Sequence, residues 1–193
     1  MKSTNINQDR MPPIPAKKMT PEQKRAANAV IQGPRGALIG PFIPALRSPE
    51  FMLRLQHLGE YLRYQSALGP KLGELVILLT ARHWSQEFEW TTHAPIARKR
   101  GMKAATIEAI AEGRRPQKMT DGETMVFDFV DELRRNRSVS DVTYRSAARM
   151  FGEKAVIDLV GTVGYYSTLA MIMNVARTPV PGGAEPVLGR FPK

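Results

Sequence analysis

Three side chains near the middle of the chain have the types and the spacing for proton transfer: Glu74, Glu89 and His93. Glu89 and His93 stand four residues apart, so on a helix they share a face and can touch. A carboxylate beside an imidazole orients the ring and raises its basicity, as a general acid or base requires. On a solvated face the same pair would be an ordinary ion pair of little energetic weight. Glu74 lies in the run Gly73-Glu74-Leu75-Val76-Ile77-Leu78-Leu79. In such surroundings a carboxylate needs a partner or takes up a proton. Close to a helix start it would instead be a charge that complements the helix dipole. On these residues alone both readings stay open. His83 is a second imidazole, nearer the end of the apolar run, beside Trp84, for which packing is the default.

The elements that would position these groups are helices. Lys71–Ser85 is apolar almost all round, which marks a buried helix. Gln86–Arg100 continues as helix, with Gly101 as its C-terminal cap and Pro95 predicting a kink or a turn boundary. Folded back as an antiparallel hairpin, the two helices bring Glu74 level with Glu89 and His93, because each residue rises about 1.5 Å. Around this hairpin the chain is punctuated by start signals. Thr20-Pro21-Glu22-Gln23 and Thr120-Asp121-Gly122-Glu123 have capping-box spacing, and Ser48-Pro49-Glu50 places Pro at a first helical position. The helices predicted from these signals run from Pro21 to Gly33-Pro34, from Pro49 to about Leu68-Gly69, and from Asp121 to about Asn136. Further helices are predicted over Thr106–Glu112, Ser140–Phe151 and Glu153–Ala176. A Gly- and Pro-rich loop from Gly33 to Pro44 carries Leu38, Ile39, Phe42 and Ile43, and is expected to pack on the body or on a neighbouring subunit. No segment alternates with period two. The fold class is all-α: one domain over 20–181, an extended N-terminal arm over 1–19 and a tail over 182–193.

Composition removes several classes of chemistry. The 193 residues include no Cys, which excludes thiol nucleophiles, disulfides and Cys-ligated zinc. There are 28 Lys and Arg against 18 Asp and Glu, a formal charge of +10. Six basic and two acidic residues fall in the first 25 positions, and the rest of the excess is scattered over several helices. No dense basic run is joined to aromatics, so a small anionic substrate drawn in by the positive field is the expected partner rather than nucleic acid. No unbroken apolar run is longer than Leu75–Leu79, far below the roughly 20 residues of a membrane span, and the first ten residues lack an apolar signal core. A cytoplasmic protein with no membrane partner is the expectation. No GxGxxG follows a strand, and neither GxxxxGK[ST] nor HExxH occurs, so no nucleotide cofactor and no metal are expected.

The run Gly73-Glu74-Leu75-Val76-Ile77-Leu78, followed by Glu87-Phe88-Glu89-Trp90-Thr91-Thr92-His93-Ala94-Pro95-Ile96-Ala97, resembles the signature of the carboxymuconolactone decarboxylase family. In the related alkyl hydroperoxidase D-like branch, the pattern is Glu, eleven residues, then Cys-x-x-Cys-x-x-x-His. Counted from Glu74, the two cysteine positions hold Gln86 and Glu89, and His93 falls on the histidine. The departure excludes a thiol peroxidase and matches the decarboxylase-like branch. Gly164-Tyr165-Tyr166 and Asn174-Val175-Ala176-Arg177-Thr178-Pro179-Val180-Pro181 are similar to that branch as well, so the resemblance spans roughly 48–181. It implies a helical fold assembled as a homo-oligomer, a trimer or hexamer. The function it implies is a cofactor-independent lyase or isomerase acting on a small carboxylated lactone or related ring compound. In that reading His93 is the general acid, Glu89 orients it and Glu74 carries the proton. Arg98 or Arg177 would hold a substrate carboxylate, with His83 and Trp90 as further substrate contacts. The alternative is a non-catalytic oligomeric scaffold on the same fold.

Overall fold

A computed structural model describes residues 8–183 and 185–189. Among the described residues there are nine α-helices, two 3₁₀ turns and no strand. The helices are α1 (Pro21–Gln32), α2 (Phe42–Ala45), α3 (Pro49–Tyr64), α4 (Pro70–His83), α5 (Glu87–Lys99), α6 (Ala104–Ala111), α7 (Asp121–Asn136), α8 (Asp141–Phe151) and α9 (Glu153–Ala176). The turns are Ala16–Lys18 and Pro181–Gly183. The all-α reading holds, and so do most start signals. Thr20 and Thr120 each accept from the third helical N–H while Gln23 and Glu123 reach back to the cap, two complete capping boxes. A good N-cap contributes about 1 kcal/mol.

The α4–α5 hairpin sits at the centre. Leu75, Val76, Leu78 and Leu79 of α4 join the largest core cluster, with Phe129 and Val130 of α7 and Leu159 of α9. A second cluster holds α1, α2 and α3 together around Val30, Phe42 and Met52. A third, with Leu62, Ile77, Tyr165 and Met173, fastens α3 and α4 to α9. The hairpin turn is three residues long and tightly specified. Gln86 N donates to Ala81 O at 2.8 Å and Ser85 N to Arg82 O at 3.1 Å, while Ser85 takes a φ of 46°. This is a Schellman motif whose left-handed position is occupied by serine. Gln86 then caps α5, its side-chain oxygen accepting from Phe88 N at 2.7 Å. One residue therefore ends α4 and starts α5.

Four local expectations are corrected. The third helix stops at Tyr64, short of Leu68, because Asp158 of α9 reaches into the connection. Its buried carboxylate accepts from Ala67 N at 2.7 Å and from Tyr61 Oη at 3.0 Å. Backbone that a buried acceptor captures no longer needs a helix to satisfy it. The Gly33–Pro44 loop gives way to the short helix α2, whose Phe42 is buried beneath α1 and α3. Helix α6 begins at Ala104, two residues early. Helix α5 runs through Pro95 rather than breaking there, since its buried face stays packed on α4.

The described part of the N-terminal arm is tied to the body. Arg10 N donates to Ala176 O at 2.8 Å, and Arg47 donates to Pro12 O at 2.8 Å. Residues 1–7 of the expected arm, and 184 and 190–193 of the tail, lie outside the described residues. The rest of the tail docks as well: Val187 and Leu188 give their N–H groups to the Glu87 carboxylate, and Leu188 is buried in the main core. By length and composition α9 is apolar enough to cross a membrane, with mean hydropathy 1.4, and half of that window is buried within the fold. A central core helix meets the same test.

Candidate active site

Glu74 and His93 meet across the hairpin in the interior, at 1% and 3% exposure. Glu74 is four residues into α4, one turn past Gly69 and Pro70, where α5 runs antiparallel alongside. Its Oε2 lies 2.8 Å from His93 Nδ1, and its Oε1 lies 2.9 Å from Arg100 Nη1. Arg100 is placed by the end of α5: Gly101 takes a φ of 85°, Met102 N bonds back to Ala97 O, and the guanidinium folds inward to Pro70 O and Glu74. Held by Arg100, the Glu74 carboxylate acts as acceptor, so the proton of the neutral ring sits on Nδ1. Nε2 then presents a lone pair towards Glu89, whose Oε2 is 3.4 Å away.

The orientation of His93 differs from the sequence expectation. Glu74, not Glu89, makes the short hydrogen bond that fixes the ring, and Glu89 faces the other nitrogen. Burial pushes the Glu89 carboxyl above the ordinary carboxylate range, against the opposing pull of His93, Arg63 and Arg35. A shift in this direction favours the protonated carboxyl, the form that can donate. Tyr166 of α9 stands edge-on to the imidazole, centroids 5.3 Å apart, and burial holds its hydroxyl well above the usual phenol range. Tyr165, edge-on to Tyr166, is pushed up to about 12, also by burial.

Glu89 and His93 open on a cavity of about 180 Å³. Arg35, Arg63 and Tyr166 line it from three other elements, and Phe42 and Phe88 supply apolar wall. Arg35 comes from the loop after α1. It donates from Nε to Gln56 and from Nη2 to Tyr165 Oη, both at 2.9 Å, and lies over the Phe42 ring. Gly59 on α3 makes room for that contact, because a Cβ there would collide with the Tyr165 hydroxyl and the Arg35 guanidinium. Arg63 is different. Its buried Nε has no hydrogen-bond partner among the described residues, and the side chain reaches both this cavity and a second one, of about 250 Å³, on the Glu74–Arg100 side. A half-buried guanidinium with an unpartnered Nε donor beside a Glu–His pair is suited to an oxyanion.

The structure thus brings Glu74, Glu89 and His93 together, and does not bring the other four candidates to either of these cavities. Arg98 is exposed on α5. It is five residues past His93, about 140° round the helix, whereas Arg100 at seven residues returns to the same face. Arg177 caps α9 in a left-handed conformation and lines neither cavity. Trp90 is packed into the main core, one position round from Glu89. His83 lines a separate cavity at the far end of α4. Gln86, at the first of the two cysteine positions of the resembling pattern, is engaged in capping α5 and in a 2.8 Å bond to Asn174. Arg35, Arg63, Arg100, Tyr165 and Tyr166 are the site residues that sequence reasoning missed. Of these, Arg100 had a usable signal in its helical phase with Glu89 and His93, and Tyr165 and Tyr166 in the run Gly164-Tyr165-Tyr166.

The helical hairpin thus carries a buried Glu–His pair beside an arginine-lined cavity. The model of the carboxymuconolactone decarboxylase family matches residues 49–132, the segment from α3 to α7 that contains the whole hairpin. That segment is of the carboxymuconolactone decarboxylase family. No curated protein matches the chain.

Proposed function

We propose that this chain is a cofactor-independent lyase or isomerase that moves a proton on a small carboxylated lactone or a related unsaturated ring acid. The observation that supports this reading most is the buried array Glu89, His93 and Glu74, anchored by Arg100 and facing a cavity that Arg63 lines with an unpartnered Nε. In a decarboxylation of this kind the carbon–carboxylate bond breaks and carbon dioxide leaves. The electron pair passes into the conjugated carbonyl, and the resulting enolate is then protonated on carbon. Arg63 is the group for the oxygen on which charge develops, where a preorganised cation acts on the transition state more than on the ground state. The proton comes from the Glu89–His93 pair, and Glu74 holds the imidazole and balances its cation. An isomerisation would use the same groups without loss of carbon dioxide.

The cavity is small and half apolar in its walls, in keeping with a single ring bearing one or two oxyanions. A more apolar hollow of about 380 Å³, sharing Ile39, Phe88 and Thr92 with it, adjoins and provides the approach. We propose also that the chain self-associates. On the outer side of α9, Ile157, Val160, Met171 and Val175 are all exposed, and at about 100° per residue they fall on one helix face.

The test is incubation with a panel of unsaturated lactones and ring acids, following carbon dioxide release and loss of ultraviolet absorbance. His93→Ala should lower turnover of the responding compound about 10²–10⁴-fold while leaving the helical circular dichroism intact. No response across the panel, or parent-like turnover by His93→Ala, would reject the proposal in favour of a scaffold on this fold.

A further inference from the structure

At the opposite end of α4 from Glu74, a separate cavity of about 320 Å³ opens between the last turns of α4 and α7. Four guanidiniums line it: Arg82, Arg114, Arg134 and Arg135. Asp131 is the one carboxylate among the described residues of the lining, and it is already paired with Arg135 at 2.9 Å. Arg114 is paired with Glu112. Arg82 is held by Ser85 Oγ and Gly189 O. Arg134 has no hydrogen bond or ion pair among the described residues, and its Nε is buried without a partner. Leu79, Ile110 and Phe127 form an apolar floor beneath these groups.

The bland account of these arginines is the helix dipole, which favours cations in a last turn. It explains why α4 and α7 each end in basic residues. It does not explain why two such ends converge on a hollow, where the guanidiniums repel one another and one of them is part-buried without an acceptor. Burial lowers the Arg134 pKa, and Arg135 and Arg82 press in the same direction against Asp131. The same environment lowers His83, first by burial and then through Arg134. A bound anion would relieve all of this at once.

We infer that this cavity is a second ligand site, for an organic oxyanion (a carboxylate or phosphate ester) carried on an apolar body, with Arg134 as its principal contact. Arg134 supplies the fork of donors that a planar oxyanion takes in pairs, and the floor takes the ring or chain behind it. The site stands independently of the chemistry proposed for Glu74, Glu89 and His93.

Calorimetric titration of the full chain with phenyl phosphate, and separately with benzoate, tests the assignment and distinguishes the two oxyanions. Emission from Trp84, whose ring packs edge-on to His83 at 5.5 Å, gives a second readout. Saturable binding of at least one of the two is expected, weakened about ten- to hundredfold by Arg134→Ala and restored only in part by Arg134→Lys. The exposed Arg54→Ala should bind as the parent does, and the Arg134-dependent binding should persist in Arg63→Ala, whose own cavity also suits such probes. Binding of neither probe, parent-like affinity in Arg134→Ala, or loss instead in Arg63→Ala would overturn the proposal. So would an equal loss in Arg54→Ala, which would reduce the effect to net charge. A melting curve for each variant separates lost binding from lost folding.

Discussion

Replacing Glu74 with Gln keeps the volume of a buried side chain and removes its charge. An amide has one acceptor oxygen, and Arg100 can only donate, so the oxygen is expected to stay with Arg100. The amide NH₂ then faces His93 Nδ1, which must become an acceptor. The imidazole proton moves to Nε2, and the ring's polarity towards Glu89 reverses. The His93 bond loses its ionised acceptor and becomes neutral, and the Arg100 bond keeps only its cationic donor. For the fully buried His93 arm that loss is about 1–1.5 kcal/mol. The Arg100 side chain is 29% exposed, and solvent reduces its arm to about 0.5–1 kcal/mol. The sum is about 2 kcal/mol, which for a chain of 193 residues lowers the melting temperature by roughly 4–8 °C. Urea denaturation measures the first quantity, and ¹⁵N chemical shifts of the His93 ring measure the tautomer directly. Turnover should fall with the inverted tautomer even though every side chain is in place. Parent-like stability together with a ring still protonated on Nδ1 would show that Glu74 does not hold His93, and the reasoning would fail at its first step.

Glu89→Gln tests burial of the second carboxyl through pH. Its folded pKa is raised above the ordinary value near 4.5, so the stability it contributes is present below that value and is lost as pH rises through the folded pKa. Denaturation at pH 4, 6 and 8 should therefore show the variant gaining on the parent as pH rises; a constant difference would contradict the assignment. Gly59→Ala should cost about 1–3 kcal/mol and disturb the Arg35–Tyr165 contact, measured by denaturation and by the Tyr165 titration. An unperturbed variant would mean that the close approach at α3 is not maintained in solution. Ile157→Glu with Val175→Glu should dissociate the proposed oligomer, read as a fall to a single species near 21.5 kDa in sedimentation equilibrium. A parent chain already at that mass would remove the proposed interface.

Local chemistry was enough to read the helices from the residues. Capping boxes at Thr20 and Thr120, Pro after Ser48, Gly after Arg100 and the absence of period-two segments all act within a few positions of the helix they delimit. The convergence of Glu74 and His93 was equally legible, because a short turn between two helices leaves only one way for them to lie side by side. Where α3 ends was not, since the deciding group is Asp158, more than ninety positions away in sequence. Nor was the rest of the site. Arg35 enters from a loop, Arg63 from α3, and Tyr165 and Tyr166 from α9, and nothing in their own neighbourhoods signals a shared cavity. Which carboxylate orients His93 was decided in three dimensions too. Spacing of four on one helix favours Glu89, but the ring turns to whichever acceptor is itself anchored. Arg100 anchors Glu74 across the hairpin, while Glu89, its carboxyl raised by burial, is left facing the cavity.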